Sequence, residues 1–365
     1  MSSRLQRVQA RMAETSTDLL VVGPSSHLVW LLGLSPHGDE RPVMLIATQQ
    51  KAAILMPALN ADSQRGLTDL PFYNWADAEG PSDALAKLLA DLGVTQGGLR
   101  VALDETMRAD FALLLLGALK SPRHSFLGET LGHLRAQKDQ SEFALLKAAA
   151  RIDDDAMVAA FAHAKPGMTE LEVDGFIRDF FRSRGARPEF TIVGFGENAA
   201  FPHHHSSDRV LKDSDVVLID IGCRIDGYPS DMTRMGYVGT PPDDFDKVHA
   251  IVDSAVRAAL AAARPGVRAR EVDAAARGAI TAAGYGDKFL HRTGHGLGID
   301  VHEPPYITGT SDTILEEGHV FSIEPGIYLA GRYGMRLEEI VFLGKDGPII
   351  MSGLPRTAFA NGKQG

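Results

Sequence analysis

The stretch VVLIDIGCRIDGYPSDMTR (216–234) decides how the rest of the chain is read. It opens on an apolar run of the kind that forms a buried strand, yet the run carries straight into Asp220. A turn-rich interval follows, and then a second carboxylate, Asp231. The expectation is a strand that ends on one acid and a returning strand that bears another. A single acid so placed would ordinarily be a strand-end residue paired with an arginine, here Arg224, Arg234 or Arg336.

The chain repeats the arrangement. HVFSIEPGIYLAGRYGMRLEEIVFL (319–343) sets Glu324 against Asp220 at an offset of 104 and Glu338 against Asp231 at an offset of 107. The difference reflects a slightly longer second hairpin. Upstream, AAFAHAKPGMTELEVD (159–174) matches AALAAARPGVRAREVD (258–273) at a constant offset of 99. Each copy reads as a helix, a Pro-Gly break and a second helix, with Thr169 and Glu172 forming a capping box in the first. Two duplicated halves packed about a pseudo-twofold axis would bring four carboxylates together.

Four clustered carboxylates repel one another and do not all ionise in an apolar site without a compensating charge. Divalent cations with a preference for hard oxygen ligands supply it. HRTGHGLGIDVHEPPY (291–306) adds a nitrogen donor, His295, read as a loop histidine around which Gly294, Gly296 and Gly298 clear space. A pair of cations held this way activates a hydroxide at neutral pH and clamps the carbonyl under attack. The chemistry implied is hydrolysis.

Bulk properties limit the alternatives. The 365 residues are 44% apolar and 23% charged, a globular balance that suggests two domains. The net charge of −10 argues against nucleic acid or an anionic membrane as partner. No run approaches the roughly 18–20 apolar residues of a membrane span. Cys223 is the only cysteine, so no intrachain disulfide forms, and the cytoplasm is the expected compartment. Cys223 itself reads as a small buried residue beside Asp220, since neighbouring acids oppose a thiolate. In the first third, strands are expected at 18–24, 27–34, 42–47, 51–57 and 98–104, and helices at 81–93 and 105–120. This is an α/β domain. No Walker A sequence or HExxH helix is present, and GHGLG lacks the spacing of a dinucleotide fingerprint.

Asp220, Asp231, His295, Glu324 and Glu338 are the residues at which the chain resembles the creatinase/prolidase/methionine aminopeptidase family of "pita-bread" metallopeptidases. The resemblance implies an α/β (α+β) architecture, with a creatinase-type domain over 1–135 and the pseudo-twofold catalytic domain over 136–365. It implies two divalent metal ions per chain, manganese foremost, with cobalt or zinc as substitutes. Asp231 and Glu338 would bridge them, Asp220 would complete one, and His295 with Glu324 would complete the other.

The large N-terminal domain disfavours methionine aminopeptidase, and the intact ligand set disfavours creatinase. FPHHHSSDRVL (201–211), VHEPPY (301–306) and GMRLEE (334–339) resemble the Xaa-Pro-cleaving branch. That resemblance makes His203, His291, His302 and Arg336 substrate-binding residues and Glu324, His203, His302 and Arg336 catalytic ones. An imide nitrogen carries no hydrogen, so peptidases that position their substrate through that N–H cannot use it. Xaa-Pro dipeptidase (prolidase) is the leading reading, with Xaa-Pro dipeptides or short peptides as substrate and a homodimer as assembly.

Aminopeptidase P, a small-molecule hydrolase or lyase, and a non-catalytic binding module are the alternatives. A dipeptidase must also neutralise a free carboxylate. Arg332 and the polar loop GLSPHGDERP (33–42) are candidates for that task, the loop being equally an ordinary hairpin connection. His204 and His205 are expected to be solvated loop residues without a role.

Overall fold

The computed structural model describes residues 3–364. The chain divides into two compact units between Arg135 and Ala136.

The first unit runs α1 (Ser3–Glu14), β1 (Leu19–Val22), α2 (Ser26–Leu32), β2 (Met44–Ala47), β3 (Ala52–Pro57), α3 (Ala58–Gln64) and β4 (Phe72–Trp75). It continues through α4 (Ser82–Asp91), β5 (Arg100–Leu103), α5 (Ala109–Ala118), β6 (Arg123–Phe126) and α6 (Leu131–Ala136). Its six strands form one mixed sheet in the order β4-β3-β2-β1-β5-β6. HLVWLLGL, expected as a strand, is instead the helix α2. Its ends explain the difference: Ser25 precedes it in extended conformation, and Gly33 closes it in the left-handed region with its N–H on the Val29 carbonyl. His27, Leu28, Trp30 and Leu31 are then buried at helical spacing.

Arg41 of the polar loop is held within this unit by Asp77, at 3.0 Å from both Nε and Nη2. His27, Asp104 and Glu105 approach one another, but Asp104 already accepts from Gly23, Ser25 and Thr106. His27 lies between Arg135 and Glu105. The group is a strut that needs no cation.

The second unit begins with α7 (Gln140–His163), α8 (Glu170–Ser183), β7 (Arg187–Phe195), β8 (Val216–Ile225), β9 (Tyr228–Pro229) and β10 (Met232–Tyr237). Its second half follows as α9 (Phe245–Ala262), α10 (Ala269–Ala282), β11 (Gly294–Gly296), β12 (Glu303–Ile307), β13 (Val320–Ile323), β14 (Gly326–Leu329), β15 (Tyr333–Arg336), β16 (Glu339–Gly344) and β17 (Gly347–Ile350). β18 (Phe359–Ala360) and β19 (Lys363–Gln364) return to the first half. The sheets run β19-β18-β10-β8-β7 and β12-β11-β13-β16-β17, with β14 and β15 as a separate hairpin.

The sequence repeat is a structural repeat. Thr169 bridges to Val210 and Arg268 bridges to Ile314, both antiparallel. Gly167 donates to Leu211 and Gly266 donates to Leu315, at 2.9 and 2.8 Å. Both glycines sit at positive φ, +94° and +91°, where a side chain would strain the break between the helices. Asp174 pairs with Arg178 and Asp273 with Arg277, again at equivalent positions.

Strand β8 shows why an acid can stand inside a buried strand. Its side chains alternate across the sheet. Val217, Ile219, Ile221 and Cys223 enter the core under α7 and α8. Val216 and Leu218 face the other way, into the core that also receives Phe321, Ile323 and Val341 of the second half. Asp220 shares that second face, so it points toward the duplicated partner. Asp220 is therefore mid-strand and not at a strand end, because β8 continues to Ile225. The fully buried Ile219 and Ile221 each contribute roughly 1.5–3 kcal/mol, which helps to hold the acid in place.

The Thr169 hydroxyl accepts from the Glu172 N–H while the Glu172 carboxylate accepts from the Thr169 N–H, completing the expected capping box. Thr169→Ala should lower stability by about 1 kcal/mol. A shift in the urea midpoint at unchanged slope checks this, and no shift would show the cap to be idle.

Candidate metal centre

Each acid of the repeat arrives from its own element. Asp220 lies opposite Thr233 in the β8–β10 register, and Asp231 immediately precedes β10. Glu324 follows β13, and Glu338 lies between β15 and β16. His295 stands at the middle of β11, a strand and not the expected loop. Its glycines serve strand packing: a Cβ at Gly294 would lie 1.9 Å from the Ser322 carbonyl oxygen, and one at Gly296 2.3 Å from that of Pro304.

These elements converge. Ligating atoms of Asp231, His295 and Glu338 lie within 4.8 Å of one another. His295 Nε2 is 3.2 Å from Glu324 Oε1 and 3.5 Å from Asp231 Oδ2. Asp220 and Glu338 meet through shared partners, since Thr233 Oγ1 donates to Glu338 Oε2 at 2.8 Å and Arg336 Nη2 donates to Asp220 Oδ2 at 2.6 Å. Arg336 Nε donates to the same Thr233 hydroxyl at 3.0 Å. The Glu338 N–H reaches the Thr233 carbonyl, so this residue is the seam between the halves.

The donor set fits divalent cations. All five residues are buried or nearly so, and Asp220 Oδ1 and Glu338 Oε1 have no hydrogen-bond partner. Buried carboxylate oxygens are rarely left unpaired unless something else satisfies them. His295 Nδ1 lies 3.1 Å from the Gly296 carbonyl and donates to it, which aims Nε2 at the acids, where it would be the nitrogen ligand of a cation. Ser322 steadies both neighbours, its hydroxyl accepting from the His295 N–H and donating to Glu324. Of the three arginines considered as partners, Arg224 is taken by Glu189 and Arg234 by Glu339. Only Arg336 touches a ligand acid, and one guanidinium does not offset four carboxylates.

Charge crowding appears in the proton affinities. Burial, then repulsion from Glu338, Asp220 and Glu324, pushes Asp231 well above the usual carboxylate range. Burial, then Glu324 and Asp220, does the same to Glu338. Burial also raises Asp220, outweighing the Arg336 charge beside it. Glu324 goes the other way: despite burial, the hydrogen bond and charge of His295 draw it down to about 2.

These residues line a cleft of about 860 Å³ that also receives His203, His205, His291, Arg292, His302 and Arg336. The His302 ring stands edge-on to His295, centroids 4.1 Å apart. Burial and the nearby His295 and Arg292 charges lower it to about 4, so it is neutral at physiological pH. His203 and His205 are exposed on the rim. His204 is not the solvated residue expected: its Nε2 meets the buried Glu170 at 2.8 Å and fastens the segment to α8.

Arg336 and His291 belong to an inner chain of hydrogen bonds. Arg336 Nη1 donates to the Tyr328 hydroxyl at 2.8 Å, the hydroxyl donates to His291 Nε2 at 2.8 Å, and His291 Nδ1 donates to the Arg292 carbonyl at 2.7 Å. Arg336 also donates to Pro202. Its guanidinium is thus committed to orienting Asp220. Arg332 does not face the cleft, because Asp244 holds it in a bidentate pair at 2.9 and 2.8 Å. Thr233, Ser322 and Tyr328 escaped the sequence reading. Thr233 and Ser322 each stand two residues from a ligand acid on the same strand face, and that spacing was the available signal.

Cys223 is fully buried, its thiol 3.7 Å from the Ala149 carbonyl. The acid beside it is Asp153 of α7, and burial foremost raises the thiol far above its ordinary value. Asp153 is itself fully buried, and burial foremost pushes its carboxyl well above the usual carboxylate range.

Two predictions follow from these charges. Carboxyls raised in the fold bind more protons folded than unfolded, so stability of the cation-free protein falls as pH rises above about 4. Glu324 contributes with opposite sign, but its window lies below its ordinary value. Melting temperatures of chelator-treated protein should therefore drop from about pH 5 to 8, and added divalent cation should flatten the trend. A flat profile without cation would contradict the assignment. For Cys223, a thiol-alkylating reagent should label the protein only after denaturation; rapid native labelling would refute the buried, protonated thiol.

Comparison with known proteins places this geometry. Residues 144–345 match the model of metallopeptidase family M24, and residues 4–136 match the creatinase/prolidase N-terminal domain. The chain is 37% identical over 361 residues to a probable dipeptidase PepE of Mycobacterium tuberculosis, covering 96% of this chain and 94% of that one. It is 34% identical to a Xaa-Pro dipeptidase of Lactobacillus delbrueckii subsp. lactis, covering 94% and 95%. A recombinant prolidase from Thermococcus sibiricus superposes with a TM-score of 0.90 at 34% identity, covering 99% of each chain. A two-domain mixed α/β chain with this donor set, this N-terminal domain and these relatives belongs to metallopeptidase family M24.

Proposed function

We propose that the protein is a metal-dependent Xaa-Pro dipeptidase. The observation that carries the reading is the convergence of Asp231, His295 and Glu338 on one point, with buried, unpartnered oxygens on Asp220 and Glu338 beside it. The dipeptidase names of its relatives support the substrate class.

Asp220, Asp231, His295, Glu324 and Glu338 would hold two divalent ions, manganese foremost with cobalt or zinc as substitutes. Bound there, the ions supply a water of lowered pKa and polarise a carbonyl. The remaining work falls to the chain. Glu324 Oε1, steadied by Ser322 and 3.2 Å from His295 Nε2, is the carboxylate oxygen placed to take up a proton and return it to the departing imide nitrogen. His302, neutral and fixed against His295, donates an N–H to oxygen charge developing at the scissile carbon. His203 lines the same cleft. Arg336 keeps Asp220 charged and aligned, and His291 fixes the backbone at Arg292.

A homodimer working in the cytoplasm is the assembly and setting we infer. The lone cysteine and the family resemblance support it. No described helix is long and apolar enough to cross a membrane.

The test is a substrate comparison on manganese-loaded protein. Xaa-Pro should be cut, Xaa-Pro-Yaa should be cut far more slowly, and exhaustive chelation should abolish turnover until manganese is returned. Turnover that survived metal removal, or equal rates on the two substrates, would overturn the reading.

A further inference from the structure

Among the described residues Lys138 is the only lysine that the fold buries. Lysine is almost never buried without a partner. Here the partner is Glu303, whose Oε1 lies 2.6 Å from Nζ, and the two side chains are 1% and 5% exposed. Lys138 stands near the start of the second unit and is stitched to that unit's second half. Its N–H donates to the Gly318 carbonyl at 2.8 Å, and Gln137 bridges to His319. Glu303 opens β12 and directly follows His302, a residue that lines the cleft. The ion pair therefore sits one peptide bond behind a side chain of the site.

The loop between β11 and β12 carries the geometry. β11 ends at Gly296, next to His295, and the chain returns at Glu303, which lies opposite Gly296 in the register. The Glu303 carboxylate folds back over this loop. Its Oε2 accepts from the Asp300 N–H at 3.2 Å, and it packs so closely on Gly298 that a Cβ there would lie 2.3 Å from Oε1. Lys138 Nζ donates to the same Oε1 and also to the Ala136 carbonyl at 3.2 Å. Residue 303 is thus bound back onto 298 and 300, and the His302 ring between them stands edge-on to His295.

We propose that Lys138 and Glu303 are positioning residues for His302: their buried ion pair clasps the 297–302 loop and so holds the imidazole against the reacting centre. The inference rests on the Xaa-Pro reading for the reaction that His302 serves. A hydrogen-bond donor aids catalysis when it is fixed beforehand, and a misplacement of about 1 Å costs on the order of 100-fold in rate. Stability alone is a weak reason for such a pair, because apolar residues of similar volume replace buried ion pairs at little cost. The loop already has apolar anchors in Leu297, Ile299 and Val301. Their burial is non-directional and does not set where His302 points. The charge-assisted hydrogen bonds of Glu303 are directional and do.

The experiment measures kcat and KM for alanyl-proline on manganese-loaded wild type, His302→Ala, the Lys138→Met, Glu303→Leu double variant, and the triple combination. Melting temperature, manganese binding and hydrogen exchange of the 297–301 amides are recorded for each. The double variant strands no buried charge, so its melting temperature and manganese affinity should stay close to wild type. Its kcat should fall roughly 10- to 100-fold at nearly unchanged KM. In the His302→Ala background the same two changes should cost less than about twofold more, because their effect passes through the imidazole. The loop amides, that of Asp300 foremost, should exchange about tenfold faster or more than in wild type.

A wild-type kcat in the double variant overturns the proposal. So does an equal further loss in the His302→Ala background, or a loss of rate that manganese loading alone accounts for. If wild type cuts no Xaa-Pro bond, the Xaa-Pro reading fails by itself. The exchange arm then still decides on the clasp, because unchanged protection of the loop in the double variant refutes it without hydrolysis. Should the double variant fail to fold, Glu303→Gln, which keeps the shape and weakens the charge-assisted bonds, enters the same cycle with His302→Ala.

Discussion

Repulsion among four buried carboxylates is the constraint on which the catalytic unit depends. Asp220, Asp231, Glu324 and Glu338 are brought together in surroundings that penalise each charge, and the chain supplies one arginine to oppose them. The remaining charge is left for a ligand to neutralise. The local detail follows from this: a threonine hydroxyl on Glu338, a serine hydroxyl on Glu324, a guanidinium on Asp220, and a histidine whose far nitrogen is tied to the backbone. The contacts to Asp220 and Glu338 fix each acid while leaving one of its oxygens without a partner.

Duplication is how the chain assembles such a cluster without losing its core. In β8 the odd positions anchor the strand under two helices while Asp220 faces the other half. In the second half β13 is anchored by Phe321 and Ile323, and Glu324 follows at its end. Each half thus contributes two acids from elements whose apolar residues already secure them. The unfavourable electrostatics of the site are carried by the burial of its scaffold.

Much of this was legible in the sequence because it was written twice. The Pro-Gly breaks at 166–167 and 265–266 recur as paired helix joints with left-handed glycines, and the four acids recur at nearly constant offsets. What escaped was set by tertiary choice. HLVWLLGL has the composition of a strand, but the residues at its two ends made it a helix. Asp220 looked like a strand terminus, because nothing local says that β8 runs on past Gly222 into contact with Ser230. Arg332 was a sensible reader of a substrate carboxylate until Asp244 was seen to hold it. His204 carries no pattern of its own, and its partner Glu170 lies 34 positions away.

The Thr233–Glu338 seam has one more consequence. Neither half owns a complete set of donors, so a fluctuation that detaches one half also dismantles the cation-binding pocket. Partly opened forms therefore have no hold on the ions, whereas the closed form does. By mass action the ions act as a latch against subglobal opening, and they protect the two halves jointly.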